Sequence, residues 1–438
     1  MLDDLCKKAH TVLENNYRQH FTIPCEGLYP FQWNWDSGFI ALGWMYLDLE
    51  RAFTEIRSLL SGQWKNGMIP HIIFHNPSDT YFPGPEVQAS HLSLQAPAVP
   101  TSGITQPPVL GFVLEEIYAY AKEDPRTKPF IAEVYAAAYQ YHHYLYTQRD
   151  IHQEGLVYIQ HNWESGTDNS PVWDGIWETL DSPEYELERQ DIKQAAITHR
   201  PSNREYQHYI HLIELFKQWK YDDALVAKHS PFLVQDPLFN AMLIKSNESL
   251  ITLGKLLDKT AEVNQLTSWN TLAKRTYNQK LFDPALNAYI YYDLRKERPI
   301  NMVTSSSFTA LFAGIPTPEM AKKLIGHLNN GKFAGKSNNN YLCASFNPEH
   351  SAFEPERYWR GPIWINLNWL IFRGLIRYDA KKIANRLKNH TLFFVEKYGF
   401  YEYFDPRKAI HETLEKGYGG NNFSWTAALV IDLLSREV

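Results

Sequence analysis

An all-α fold, a closed double ring of stacked antiparallel helical hairpins, is the class this sequence predicts. Three observations point there. Twelve segments carry apolar residues near the 3.6-residue helical spacing, strand patterning is almost absent, and two loop regions are too long for ordinary helix–helix links.

In chain order, the helical segments are 2–19, 36–60, 107–122, 128–149, 204–219, 236–258, 262–280, 305–313, 316–329, 361–377, 379–397 and 423–435. Asp36 stands before an apolar run, Pro108 and Pro362 suit first turns, and Ser305–Ser307 can cap the helical segment they open. Strand patterns are confined to Ala288–Asp293 and Leu156–Gln160. The long loops lie at about 62–106 and 150–203 and are rich in Pro, Gly, Trp and His, as structured functional loops often are. No composition break divides the 438 residues, so one catalytic domain over 1–438 is expected.

Lys and Arg number 43 against 49 Asp and Glu, giving a formal charge of −6. A mildly acidic chain without a long basic run is a poor partner for nucleic acid or an anionic membrane, where clustered cations supply affinity. The mean hydropathy is −0.42, and no apolar run reaches the length of a membrane span. The first residues read as an amphipathic helix and not as a signal peptide, and the three cysteines form no C-x-x-C. A reduced, cytoplasmic protein is expected.

Familiar cofactor motifs are missing. No zinc helix, cysteine cluster or calcium loop occurs, so neither metal nor cofactor is expected. Gly331–Ser337 glances at a phosphate loop but is one residue short and follows no strand, and Lys336–Asn340 is a plain polar loop. Gly417, Gly419 and Gly420 lack the dinucleotide spacing, and no nucleophile elbow is present.

Aromatic residues make up 14% of the chain, and four segments set them among acids and amides. These are Tyr29–Phe39, Trp163–Asp174, Tyr358–Asn366, and Gly399–Pro406 with Asn421–Trp425. Pyranose rings stack their C–H faces on indole and phenol, while their hydroxyls need carboxylates and amides. Glycoside cleavage needs two carboxyl groups, one to protonate the leaving oxygen and one to activate water or attack carbon. Singly, each feature has a plain alternative. Asp36 reads as an N-cap, the tryptophans as packing, Asp168 as an Asx-turn and Glu402 as a solvated loop acid. Four unrelated loops sharing one composition are harder to explain that way.

The segments FQWNWDSGF, MIPHI, SGITQPP, W-x-SGTDNSPVWD, THRPSNREY, YWRGPIWINLNW and NNFSWTAAL resemble glycoside hydrolase family 63, especially its short bacterial glucosylglycerate and mannosylglycerate hydrolases. The resemblance runs from about Tyr29 to Trp425 and implies an (α/α)6 barrel, a six-hairpin toroid with long active-site loops. It also implies inversion of an α-glycosidic bond, with Asp168 as general acid and Glu402 as general base. Inversion needs roughly 6.5–9.5 Å between the carboxyls to admit water. Burial against Trp163 and Trp173, with repulsion from Glu164 or Asp174, would keep Asp168 protonated, and the Tyr401 and Tyr403 hydroxyls would keep Glu402 ionised.

By the same resemblance, Trp33, Trp35, Asp36, Trp359 and Trp364 line the subsite of the transferred sugar, with Arg360 a further candidate beside it, and Tyr29 and Tyr358 are further substrate-binding residues. Arg200 and Tyr206, with Tyr81 and Gln106, fall where the leaving group is bound. A guanidinium there suits a carboxylate, so the expected partner is a small sugar carrying one, as in glucosylglycerate or mannosylglycerate. Alternatives are an α-glucosidase for neutral di- or oligosaccharides, an epimerase using His142–His143, and a non-catalytic sugar binder. Hexose identity and oligomeric state are not legible.

Overall fold

The computed structural model describes the chain except for residues 1, 330–331, 335–337, 409–416 and 438. The 331–337 stretch and the 336–340 run fall partly outside these described residues. Helix α1 (Leu2–Asn16) precedes a tight ribbon, and the chain then runs through inner α2 (Asn34–Leu47) to outer α3 (Leu49–Ser61). Inner α4 (Leu110–Ala121) and outer α5 (Thr127–Gln148) form the next hairpin. An excursion carries α6 (Asn203–Gln218) and α7 (Asp223–His229) before inner α8 (Pro237–Leu256) and outer α9 (Thr260–Thr276). The short inner α10 (Thr309–Phe312) is followed by outer α11 (Pro318–Asn329), then inner α12 (Ile365–Arg377) and outer α13 (Lys381–Tyr398). The last helix, α14 (Ser424–Ser435), is inner, and α1 packs outside it.

Neighbouring inner helices touch in the order α2, α4, α8, α10, α12, α14 and back to α2, closing the ring. This is the (α/α)6 barrel expected from the resemblance. Composition explains which helices go inside. α2 reads NWDSGFIALGWMYL, apolar on all sides, and Asn34 through Met45 are buried. α3 (LERAFTEIRSLLS) has one apolar face and lies outside. Close approach is helped by Gly43, where a Cβ would come within 2.5 Å of the Ala428 methyl on α14.

The sequence segments were twelve and the ring has twelve helices, but two differences cancel. The segment 36–60 is two helices, because Asp48 adopts an extended backbone and its carboxylate caps α3 by accepting from Glu50 N and Arg51 N. The segment 204–219 is α6, which belongs to the excursion and not to the ring. The expected strand at 288–293 is present as Ala288–Tyr289 and Tyr291–Asp293, whereas within 156–160 only Ile159 makes a bridge, to Val234. No described helix is long and apolar enough to cross a membrane.

The starts of the inner helices gather at one end of the ring. Trp35 and Asp36 lie in the first turn of α2, Trp425 begins α14, Trp364 precedes α12, and Gln106 precedes α4. The long loops fold over this end.

Candidate active site

A cavity, open at its mouth, lies over the inner helix starts. Its lining includes all thirteen site residues expected from sequence: Tyr29, Trp33, Trp35, Asp36, Tyr81, Gln106, Asp168, Arg200, Tyr206, Tyr358, Trp359, Trp364 and Glu402. Several separate stretches of chain meet there, held by identifiable contacts.

Asp36 is carried by α2 behind a two-residue strand, Gln32–Trp33, paired antiparallel with Ile72–Ile73. Gln32 anchors that corner by donating to Ser37 Oγ and to Glu55 Oε1, and it accepts from Ser58 Oγ. Gln106 Oε1 accepts from the Trp35 amide at 3.2 Å, joining the second loop to the first. Trp359 lies flat on Trp364, with ring centroids 3.7 Å apart and planes 4° apart. Trp35 adjoins Trp359, and Trp425 meets both Trp35 and Trp364 edge-on, so indoles enclose one end of the cavity.

Asp168 sits on a loop that leaves little freedom. Its carbonyl accepts from Asn162 Nδ2 and the Tyr209 hydroxyl, and Trp173 Nε1 donates to Thr167 O. Gly166 has φ +69°, and a Cβ there would press on the Trp35 ring, so both conformation and space call for glycine. Glu164, fully buried, accepts from Arg149 Nη1 and Nη2 and from the amides of Thr105 and Gln160. One carboxylate thereby ties the Asp168 loop to the Gln106 loop.

Glu402 immediately precedes the strand Tyr403–Phe404, which pairs antiparallel with Ile363–Trp364 and sets the carboxylate beside the indole wall. Its Oε1 accepts from Tyr29 OH at 2.9 Å and its Oε2 from the Gly420 amide at 2.9 Å. Arg200 Nη1 stands 3.6 Å from Oε2. Arg200 also donates from Nη2 to Tyr29 OH and from Nε to Asp191, and it lies over the Tyr358 ring. Asp191 is itself gripped by Arg189 through two hydrogen bonds, at 3.0 and 2.7 Å. Two guanidinium groups share the Asp191 carboxylate, and the charge left over stands against Glu402.

Electrostatics separate the carboxyl groups. Burial pushes Asp168 up to about 7, opposed by Arg200 and assisted by the charge of Glu402. Burial also raises Glu402, while Arg200, the Gly420 amide and Tyr29 pull against it. Asp36 is raised well above the ordinary aspartate range, first by burial and then by Glu402. Asp191 is held below its usual value because both arginines outweigh its burial.

Several expected supports differ. Glu164 and Asp174 do not set the proton affinity of Asp168. Glu164 is neutralised by Arg149, and Asp174 by a two-point pair with Arg360. That pair and Glu354 occupy Arg360, which is not among the residues lining the cavity. Tyr401 and Tyr403 do not serve Glu402. Tyr403 OH donates to His199 O, and Tyr29, distant in sequence, takes the role at Oε1. His142 is bound to Asn247 in the helix layer, away from the lining.

Sequence reasoning did not single out His71, Asp191, Phe423 or Trp425, all of which line the cavity. His71 is neutral, pushed down to about 3 by burial, and stacks on Trp163. It lies in the MIPHI segment, and Phe423 and Trp425 lie within NNFSWTAAL, so all three were within reach of the motifs.

Comparison with known proteins settles the family. Residues 29–426 match the mannosylglycerate hydrolase MGH1-like glycoside hydrolase domain. The chain belongs to this family. It is a glycoside hydrolase. Mannosylglycerate hydrolase of Thermus thermophilus is 40% identical over 428 residues, covering 97% of this chain and 99% of that one. Glucosylglycerate hydrolase of Mycolicibacterium hassiacum is 32% identical over 442 residues, covering 98% and 97%. The crystal structure of a GH63 mannosylglycerate hydrolase from Thermus thermophilus with Tris and D-glycerate has a TM-score of 0.89 at 39% identity, covering 99% of this chain and 100% of that one. Family membership agrees with the closed ring and with an aromatic cavity holding carboxyl groups of different proton affinity.

Proposed function

We propose that this protein is an inverting α-glycosidase that hydrolyses mannosylglycerate or glucosylglycerate to hexose and glycerate, acting as one catalytic unit over the whole chain. The observation that carries the substrate reading is the buried Arg189–Asp191–Arg200 triad, in which two cations share one carboxylate and the Arg200 charge lies in the cavity wall with Tyr206. A glycerate carboxylate placed there meets that charge, while Tyr81, Gln106 and Tyr206 offer hydroxyl and amide partners. The relatives that act on glycerate conjugates support the same reading.

In this scheme the hexose rests against Trp35, Trp359 and Trp364, and Asp36 binds its hydroxyls. Asp168, protonated near neutral pH, donates to the glycosidic oxygen as the bond to the anomeric carbon breaks. Glu402 takes a proton from the water that attacks the opposite face of that carbon. Arg200 beside Glu402 favours its ionised form before the proton arrives. The reading includes a reducing compartment such as the cytoplasm, consistent with Cys25 and Cys343 as buried thiols.

A second reading, an α-glucosidase for neutral disaccharides, is favoured by one observation: Arg200 Nε is already taken by Asp191. Incubation with mannosylglycerate, glucosylglycerate, trehalose, kojibiose and nigerose, followed by NMR of the first hexose released, separates the two. Glycerate conjugates turning over fastest with initial β-hexose is the expected result. Preference for a neutral disaccharide would select the second reading, and initial α-hexose would overturn inversion.

A further inference from the structure

Gly417, Gly419 and Gly420 have the wrong spacing for a nucleotide loop, yet three glycines in four residues lie beside the site. The segment 417–420 runs antiparallel to the strand carrying Glu402. Tyr403 and Tyr418 exchange backbone hydrogen bonds, and Glu402 N donates to Gly420 O at 2.9 Å. Gly420 returns its own amide to Glu402 Oε2, also at 2.9 Å, so one residue grips both the backbone and the side chain of the acid.

Each glycine leaves room for its neighbours. A Cβ at Gly417 would meet Tyr401 Cβ at 2.5 Å. At Gly420 it would meet Cys25 Sγ at 2.5 Å. At Gly419 it would overlap Glu402 Oε2 itself and come within 2.6 Å of Tyr403 Cε1. Gly419 also has φ +72°, which L-residues seldom adopt. Backbone alone, bare of side chains, approaches the carboxylate on this face, while Tyr29 holds the other oxygen.

We propose that the glycine ribbon 417–420 is a positioning element for the general base, fixing the Glu402 carboxylate by the Gly420 amide and by the absence of any Cβ at Gly419. The proposal rests on Glu402 being the base. Moving Oε2 a few tenths of an ångström changes its distance to the attacking water without touching the indole subsite, so the effect belongs in kcat and not in KM.

Gly419→Ala is the direct test, with Gly399→Ala as control. Gly399 also has a positive φ, but the nearest atom to an added Cβ is Tyr401 Cε2 at 3.9 Å, so it carries backbone strain without reaching the carboxylate. We expect Gly419→Ala to lower kcat by about a hundredfold or more while KM stays within about threefold, given the usual contribution of a general base. We also expect the acid limb of its kcat/KM–pH profile to move upward, because the Gly420 hydrogen bond favours the ionised form. Glu402 is faced by Arg200, Tyr29 and Tyr358, by Asp36 and Asp168 across the cavity, and by Cys25 behind, and none of these is changed. Gly399→Ala should keep native kcat.

Native kcat and an unmoved acid limb in Gly419→Ala would overturn the proposal. If Gly419→Ala does not fold, Gly420→Ala decides the matter, because its Cβ would meet Cys25 Sγ at 2.5 Å and Phe423 Cδ2 at 2.9 Å and so displaces the amide that holds Oε2. It should lose kcat with KM little changed, and native kcat there would overturn the proposal. Glu402→Gln distinguishes the underlying reading: full activity there removes Glu402 as base whatever the glycines do, whereas an inactive Glu402→Gln with a native Gly419→Ala rejects the ribbon alone.

Discussion

Arg200 Nη1 lies 3.6 Å from Glu402 Oε2, with both side chains almost wholly buried. The same guanidinium lowers the proton affinity of Asp168, so one cation acts on both carboxyls expected to do the chemistry. With it gone, each holds its proton to higher pH. Arg200→Gln should therefore move the acid limb, set by Glu402, and the alkaline limb, set by Asp168 near 7, in the same upward direction. The kcat/KM–pH profile checks this, and a downward move of either limb would contradict the assignment.

Asp168→Asn and Glu402→Gln should each reduce turnover by about 10²–10⁴-fold, the range of a general acid or base, while hexose still binds the aromatic wall. Single-turnover rates with calorimetric titration of product hexose report the two effects separately. Unchanged turnover in either variant would reject that residue's role.

Arg189→Gln frees Asp191 from its two-point clamp and leaves Arg200 alone against two anions, Asp191 and Glu402. The expected result is a KM increase for a glycerate conjugate and little change for a neutral glycoside. A lost charge-assisted contact worth about 1.5–3 kcal/mol corresponds to roughly ten- to hundredfold. Equal effects on both substrates would point to a structural role.

Glu164→Ala removes one of the two carboxylates paired with the Arg149 guanidinium, which is 1% exposed and keeps Asp223 at Nε. Breaking a buried ion pair outright costs about 3–5 kcal/mol, so with Asp223 still in place the denaturant midpoint should fall by a smaller amount. Because Glu164 also holds the Thr105 and Gln160 amides, surviving folded enzyme should lose turnover as the Asp168 and Gln106 loops come apart.

Gly43→Ala tests the ring itself. The new methyl meets the Ala428 backbone, which cannot rotate away, and overpacking of this kind costs about 1–3 kcal/mol. Denaturant unfolding should register the loss.

Much of this architecture is readable from the residues alone. Apolar periodicity finds the helical segments, and the Trp-x-Trp-Asp and Asp-Asn-Ser-Pro motifs mark the cavity because sugar chemistry restricts which residues serve. The break at Asp48 is also written in the sequence, as an acid followed two and three residues later by amides it can cap, but unbroken apolar periodicity across 36–60 hides it. What stays illegible depends on distance across the fold. Tyr29 and Gly420 reach Glu402 from 373 and 18 residues away, so its adjacent tyrosines are the natural but mistaken choice. Arg149 neutralises Glu164 from the end of α5, and nothing local announces that the acid has lost its charge. The glycines of 417–420 are legible only as a negative, since their purpose is the shape of a side chain that arrives from another strand.

The ring is closed where its first and last inner helices meet, and the chain leading into α2 is bonded to the start of α14: Asn16 Nδ2, at the end of α1, donates to Ser424 Oγ, which donates to Ile23 O. Trp425, the next residue, is part of the cavity wall. Without α14 the other five inner helices would form an open arc, so the helix that completes the circle also completes the indole enclosure, and ring closure and sugar shelter are one event.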